Sequence, residues 1–345
     1  MTEAPGGNTG RKTIYEVADA AGVSIATVSR VLSKPEVVSP ATRERVLRAV
    51  EDLNYVPDGA ARALAARNNE AYGLALPELS GPYYAELLTG FEAAAATYEA
   101  SVMVMLTNGK KNADAMVRRL AGRVDALAVM GNVRVKATTL EAIRRKIPVV
   151  TFAGDHHEGI EDFSTENLAS AKELTSHLLD THARRDLLFL GDPSVAPDLH
   201  ERYRGFVEAH EERDLSPRDP VPCLPHEAGG ERIGAILADS LTSGLIRTDG
   251  LVCANDELAL PVLRALKKSG VRIPDDISVT GWDDVFAARY LSPALTTVRQ
   301  PVRDLGHLVV ERFQQLLGSS PETDSKHRLP TAVVYRQSCG CPEPN

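Results

Sequence analysis

Residues 12–34 constrain this chain more than any other stretch. Ile14, Val17, Ala18 and Ala21 fall at i, i+3, i+4 and i+7, one face of an amphipathic helix. Gly22 follows, a residue free to take a positive φ and turn the chain. Ser24 is placed to cap a second helix by accepting a backbone N–H bond, in which Val28, Val31 and Leu32 again sit at i, i+3 and i+4. Small Ala18 lets the two axes approach. This pattern is a helix-turn-helix, whose second helix is built to enter a DNA major groove. Many helical hairpins share it, so the outer face matters. Ile25, Ala26, Thr27, Ser29 and Arg30 point away from the apolar stripe. An ordinary solvated face would be richer in Glu and Lys. Short groups let the backbone approach base edges, apolar ones touch thymine methyls, and Arg pairs with guanine.

At these residues the chain resembles a known family. Thr13-Ile14-Tyr15-Glu16-Val17-Ala18, Gly22-Val23-Ser24 and Thr27-Val28-Ser29-Arg30-Val31-Leu32 look like the opening of a LacI/GalR-type bacterial transcription regulator. The resemblance continues through Val38-Ser39-Pro40-Ala41-Thr42-Arg43, Leu53-Asn54-Tyr55-Val56-Pro57 and Ala60-Ala61-Arg62-Ala63-Leu64-Ala65, and recurs to the C-terminus. It implies DNA contacts from Thr13, Ser24, Ile25, Ala26, Thr27, Ser29 and Arg30. Ser39-Pro40 opens a third helix with Val46, Leu47, Val50 and Leu53 as its apolar face, Ser as cap and Pro at the first helical position. Residues 12–58 therefore read as the head, after a disordered arm over 1–11. Residues 59–69 are Ala-rich and marginal as an isolated helix. The resemblance makes them a hinge helix that pushes Leu64 between base pairs of the minor groove, with Arg62 beside it.

Charge alone would not suggest DNA, since the formal net charge is −8. The acidity belongs to the body: residues 1–69 carry 9 Lys+Arg and 8 Asp+Glu, and the remainder 30 and 39. No apolar run of membrane-spanning length and no secretory signal occur, so the expected place is the cytoplasm. Four cysteines are too few for a disulfide framework at this length.

From residue 72 the rhythm changes. Apolar runs at 72–76, 102–106, 124–130, 149–152, 187–190, 251–253 and 277–280 alternate with helical patterns, which argues for parallel sheets covered by helices. The fold class is thus an N-terminal all-α head plus an α/β sensor domain over 70–345. By resemblance the sensor is two-lobed and periplasmic-binding-protein-like, with lobe 1 near 70–165 and 299–330, and lobe 2 near 166–298 and 331–340.

Ligands of open α/β sheets bind beyond the carboxyl ends of the strands. That rule selects Leu79 to Tyr84, Asn108, Asn132, Asp155, Asp192, Asn255-Asp256 and Trp282-Asp283, a lining of amides, carboxylates and aromatics suited to a polyhydroxylated molecule. The resemblance narrows the effector contacts to Tyr83, Tyr84, Arg202, Asn255, Trp282, Asp283 and Gln300. Helix capping by Asn255 and Asp256 is the structural alternative. The chain departs from the family pattern at Ala153-Gly154-Asp155-His156-His157-Glu158 and at Leu224-Pro225-His226, which leaves the ligand open.

No phosphate-binding loop, dinucleotide fingerprint or nucleophile elbow is present, so no enzyme is expected. No cofactor is expected either. Neither His156-His157-Glu158 nor Cys339-Gly-Cys341 has further ligands at metal spacing, so no metal is expected. The implied protein is a homodimeric regulator, a repressor of carbohydrate-utilisation genes, released from a near-palindromic double-stranded DNA operator by a small sugar-like effector, with no membrane partner. The alternatives are a repressor needing a purine or phosphoprotein corepressor, and a free cytoplasmic sugar-binding protein.

Overall fold

The structure, a computed structural model, describes residues 12–56, 69–107, 111–154, 157–318 and 327–342. The expected arm, the hinge helix with Arg62 and Leu64, and the cleft candidates Asn108 and Asp155 lie outside these residues. The chain divides into two units, Met1–Asn69 and Glu70–Asn345.

In the first unit α1 (Ile14–Ala21) starts at Thr13, whose hydroxyl accepts from the Glu16 N–H while the Glu16 carboxylate accepts from the Thr13 N–H at 2.8 Å. This reciprocal capping box satisfies two donors a helix start would otherwise leave open. Gly22, at φ +62°, ends α1. The Ser24 hydroxyl accepts from the Thr27 N–H at 3.2 Å and starts α2 (Ile25–Ser33). A 3-10 turn over Pro35–Val37 leads to α3 (Pro40–Asp52). Ser39 does not cap α3 through its side chain; its hydroxyl donates to Thr42 Oγ1 instead. Val17, Ala18, Ala21, Val28, Val31, Val46 and Ala49 form the core. Leu47, expected inside, is 48% exposed: the inner face of α3 runs through Val46, Ala49, Val50 and Leu53 at i, i+3, i+4 and i+7, and Leu47 lies off its edge.

The second unit holds two parallel sheets. The larger has the order β10-β5-β4-β3-β1-β2, built from β1 (Ala71–Leu76), β2 (Ser101–Leu106), β3 (Ala126–Met130), β4 (Val149–Phe152), β5 (Glu161–Thr165) and β10 (His327–Leu329). The smaller has the order β6-β7-β8, from β6 (Leu187–Leu190), β7 (Gly250–Cys253) and β8 (Ser278–Thr280). Every residue of β1, β3, β4, β6 and β7 is buried, which is why these strands appear as continuous apolar runs rather than alternating ones. On the first sheet α4 (Pro82–Thr97) crosses α12 (Val302–Leu317) closely. A Cβ on Gly90 would lie 1.9 Å from the Arg303 carbonyl oxygen, and one on Gly306 would lie 2.4 Å from that of Leu87. Between these helices in sequence come α5 (Ala113–Ala121), α6 (Ala137–Arg144), α7 (Leu168–Asp180), α8 (Pro197–Glu211), α9 (Glu227–Thr242), α10 (Asp256–Lys268) and α11 (Phe286–Tyr290).

Each sheet has its own hydrophobic core. Segments β9 (Thr297–Arg299) and β11 (Ala332–Val334) pair antiparallel apart from both sheets. Here Val298 and Val333 meet Ala171 and Leu174 of α7 and the indole of Trp282 in a third small cluster.

Candidate functional site

On α2 the exposed side chains are Ile25, Ala26, Ser29, Arg30 and Ser33, with Thr27 half-buried and its hydroxyl 2.9 Å from that of Ser24. Thr13 and Ser24 are exposed, and both hydroxyls serve helix starts. The outward face is therefore short and uncharged except for Arg30, a surface that can reach base edges without desolvating carboxylates.

In the second unit a cavity of about 260 Å³ opens where the strand ends of the two sheets face each other. Tyr83, Tyr84, Met130, Asn132 and Ala153 line it from the first sheet; Asp198, Arg202, Pro225, His226, Asn255, Glu257 and Asp283 line it from the second. Arg202 organises the floor. Its Nε–H donates to Asn167 Oδ1 at 2.8 Å, one terminal nitrogen to the Ala254 carbonyl at 2.7 Å, and the other to Asp198 Oδ2 at 3.1 Å. A guanidinium has five donors, so two remain for a ligand. The guanidinium carbon lies 4.5 Å from the centroid of the Trp282 ring, a cation–π contact.

Asp283 stands at φ +118°, a region L residues rarely occupy. It is held there by its N–H donating to the Val298 carbonyl and by Gln300 Nε2 donating to its Oδ1 at 2.5 Å. The neighbouring Asp284 is clamped by Arg289, Arg299 and Arg336. Such over-determination keeps an unfavourable conformation in place and marks the turn as a functional candidate. Burial pushes the Asp283 carboxyl up to about 7 against the lowering influence of Arg202 and Gln300. Burial also raises Glu257, with Glu78 adding to it, and raises Tyr84 to about 12.

The raised Asp283 pKa makes folding pH-dependent. Between the unfolded value, near 4, and about 7 the folded state binds more protons, so stability falls as pH rises through that window. Asn has no carboxyl to ionise and tolerates positive φ. Asp283→Asn is expected to melt several degrees above the parent at pH 8 and close to it at pH 5. Equal melting temperatures at both pH values would remove this assignment.

Tyr83, Tyr84, Arg202, Asn255 and Asp283 thus come together around one cavity. Asn255 lines it with its amide already engaged: Oδ1 accepts from the Leu258 N–H to cap α10, and Nδ2 donates to the Pro225 carbonyl. Two of the expected residues, Trp282 and Gln300, do not line this cavity. Trp282 is 2% exposed and sits behind Arg202 in the β9–β11 cluster, not on the cavity wall. Gln300 lines instead an adjoining cavity that shares Tyr83 and Asp283, and its amide is used at both ends, accepting from Thr165 Oγ1 and donating to Asp283. Asp192 accepts from the N–H and hydroxyl of Ser194 and is not among the lining residues. Sequence reasoning missed Glu78, Asp198 and Glu257 as lining residues. Asp198, one helical turn before Arg202, was the legible one.

A broader groove of about 1110 Å³ runs along α9, α10 and α11. Its lining mixes Leu260, Pro261, Phe286 and Leu291 with the charged Glu231, Arg264 and Lys268, and it has none of the side-chain amides of the cleft. The expectation that Cys339-Gly-Cys341 has no histidine nearby is overturned: His177 and His182 lie against it.

Among the described residues no helix is long and apolar enough to cross a membrane. Residues 13–58 match the family described as bacterial regulatory proteins, lacI family, and residues 175–339 a periplasmic binding protein-like domain. The ribose operon repressor of Halalkalibacterium halodurans is 31% identical over 331 residues, 94% of this chain and 96% of that protein. The HTH-type transcriptional repressor PurR of Photobacterium profundum is 31% identical over 334 residues, 94% of this chain and 98% of its own length. A crystal structure of the lac repressor dimer, bound to operator and the anti-inducer ONPF, superposes with a TM-score of 0.84 at 27% identity, over 96% of this chain and 99% of that one.

Proposed function

The chain belongs to the lacI family of bacterial regulatory proteins, DNA-binding transcription regulators with an effector-sensing domain, and from that membership we propose that it is a repressor released from its operator by a neutral sugar of monosaccharide size. The observation that carries the choice of ligand is the charge of the cleft. Glu78, Asp198, Glu257 and Asp283 face one Arg and one His. Carboxylates accept hydrogen bonds from hydroxyl groups and repel phosphate or carboxylate ligands. A volume of about 260 Å³ falls just below the range of about 300–1,000 Å³ that holds drug-sized ligands, which favours one ring over an oligosaccharide. The faces of Tyr83 and Tyr84, set edge to face at 5.6 Å, offer contact to a ring's C–H groups.

In this reading α2 of each of two copies enters one half-site of a near-palindromic operator. Ile236, Phe286, Tyr290 and Leu291 are exposed apolar groups beside the broad groove and suit a second copy of the chain. The effector binds the two arrangements of the sensor with different affinity, and that difference weakens DNA binding. The relatives are transcription regulators rather than enzymes, and no catalytic role is proposed here.

Trp282 is the chain's single tryptophan. Its Nε1–H has no hydrogen-bond partner among the described residues, and it lies under Arg202. Its fluorescence is therefore expected to change saturably on titration with one neutral aldose or ketose, and that sugar is expected to release operator DNA. Tighter DNA binding with a free purine, or a response confined to sugar phosphates, would replace this reading by a corepressor or an anionic effector.

A further inference from the structure

Four side chains with metal-binding atoms meet beside the C-terminal end of α7, outside the cleft. They are His177 in α7, His182 in the turn after it, and Cys339 and Cys341 near the C-terminus. All four ligand atoms lie within 4.8 Å of one another. The Nε2 atoms of the two imidazoles are 3.0 Å apart. Cys341 Sγ is 3.3 Å from His177 Nε2 and 3.5 Å from His182 Nε2, and Cys339 Sγ is 3.7 Å from His177 Nε2. A tetrahedral zinc ion with bonds of about 2.3 Å to sulfur and about 2.0 Å to nitrogen has S···N edges of about 3.5 Å and an N···N edge of about 3.3 Å. These four separations lie within about 0.3 Å of those edges, and the remaining pairs stay within 4.8 Å. Without an ion the thiols rest on weak hydrogen bonds: the Cys339 thiol donates to the Arg336 carbonyl at 3.1 Å, and the other thiol contacts pair a poor donor and poor acceptor with an imidazole.

The surroundings are shaped for this convergence. Gly340 sits at φ +114°, and a Cβ there would come within 2.8 Å of His182 Nδ1, so a side chain between the two cysteines would push that imidazole away. The Tyr335 ring packs on His177 at 4.1 Å, and its hydroxyl donates to Glu173 of α7. The mixed Cys2His2 donor set suits zinc, which has no geometric demand beyond four ligands.

We propose that His177, His182, Cys339 and Cys341 bind one Zn²⁺ ion as a structural site. The ion fastens the last segment of the chain to α7. That segment includes β11, which carries Val333 into the cluster around Trp282, and Arg336, which holds Asp284. The clamp thereby supports the strained turn that presents Asp283.

The test uses the full-length chain purified under reducing conditions without chelator. Elemental analysis is expected to find about one zinc per chain, and Cys341→Ser and His182→Gln to lose it at least tenfold, while Cys223→Ser, at a cysteine outside the cluster, keeps it. Stripping the metal should lower the melting temperature by at least about 5 °C, and zinc should restore it. Co²⁺ loaded in its place should give visible bands of tetrahedral intensity together with a thiolate charge-transfer band. That spectrum comes from the parent protein, so it stands even where a variant fails to fold. A folded chain that neither carries zinc nor takes it up would overturn the proposal. So would stoichiometric copper or iron in its place, cobalt without the thiolate band, or a Cys339–Cys341 disulfide in the reduced preparation.

Discussion

Replacing Arg202 by Ala is expected to weaken effector binding at least about 100-fold and to abolish release from DNA, while DNA binding itself persists. Arg202 is 5% exposed and bonds Asn167, the Ala254 carbonyl and Asp198 at once. Two of its donors remain for a ligand, and a hydrogen bond to a charged group is worth about 1.5–3 kcal/mol. Losing both is expected to cost at least about 3 kcal/mol, about two powers of ten in affinity. A Lys at the same place should recover little, since an ammonium cannot reach three acceptors in a planar fork. A second readout separates this role from simple misfolding. Arg202 pulls the Asp283 carboxyl downward, so its loss should move Asp283 above about 7 and shift the fall in stability with pH to more alkaline values. Calorimetry with the identified sugar and melting curves across pH measure the two effects. Retained sugar affinity would show that the effector sits elsewhere.

A carboxylate on the outer face of α2 should act on the other function alone. Ser29 is exposed and donates nothing to the core of the head. Ser29→Glu should leave stability within about 0.5 kcal/mol of the parent, as surface changes away from caps and cores do. It places a longer, negative side chain on the helix that has to lie between two phosphate backbones. Operator affinity is expected to fall at least about 100-fold, measured on DNA selected from a random pool by the parent protein. Leu245→Glu, the same charge change at a residue 79% exposed in the other unit, controls for net charge and should leave binding near the parent value. Undiminished binding by the Ser29 variant would mean that a different surface reads DNA. The two readouts, effector affinity for Arg202 and operator affinity for Ser29, are independent.

Much of this was open to reading in the chain because it is written in neighbouring residues. The two head helices follow from apolar spacing, Thr13 with Glu16, Gly22 and Ser24, all of which act within one turn of each other. The buried parallel strands read as short apolar runs because both of their faces are covered. Strand β5 did not. Its Glu161 is buried by Arg312 and His327, and its Asp162 by Thr151 and the Gly154 N–H, so polar residues occupy a place where the apolar rule finds nothing.

The cleft divides along the same line. Rules about strand ends selected Tyr83, Tyr84, Asn132, Asn255 and Asp283 without knowledge of any contact. They could not say that Gln300 spends its amide on Thr165 and Asp283, or that the Trp282 ring lies under a guanidinium. The sequence by itself determined the periodic elements, the caps, the order of the strands along the chain and the residue types at their ends, since these depend on spacings of a few residues. Only the tertiary structure decided which distant groups meet. The three arginines on Asp284, and the two histidines beside a cysteine pair more than 150 residues away, come together because long-range packing sets their distance, and no local spacing records it.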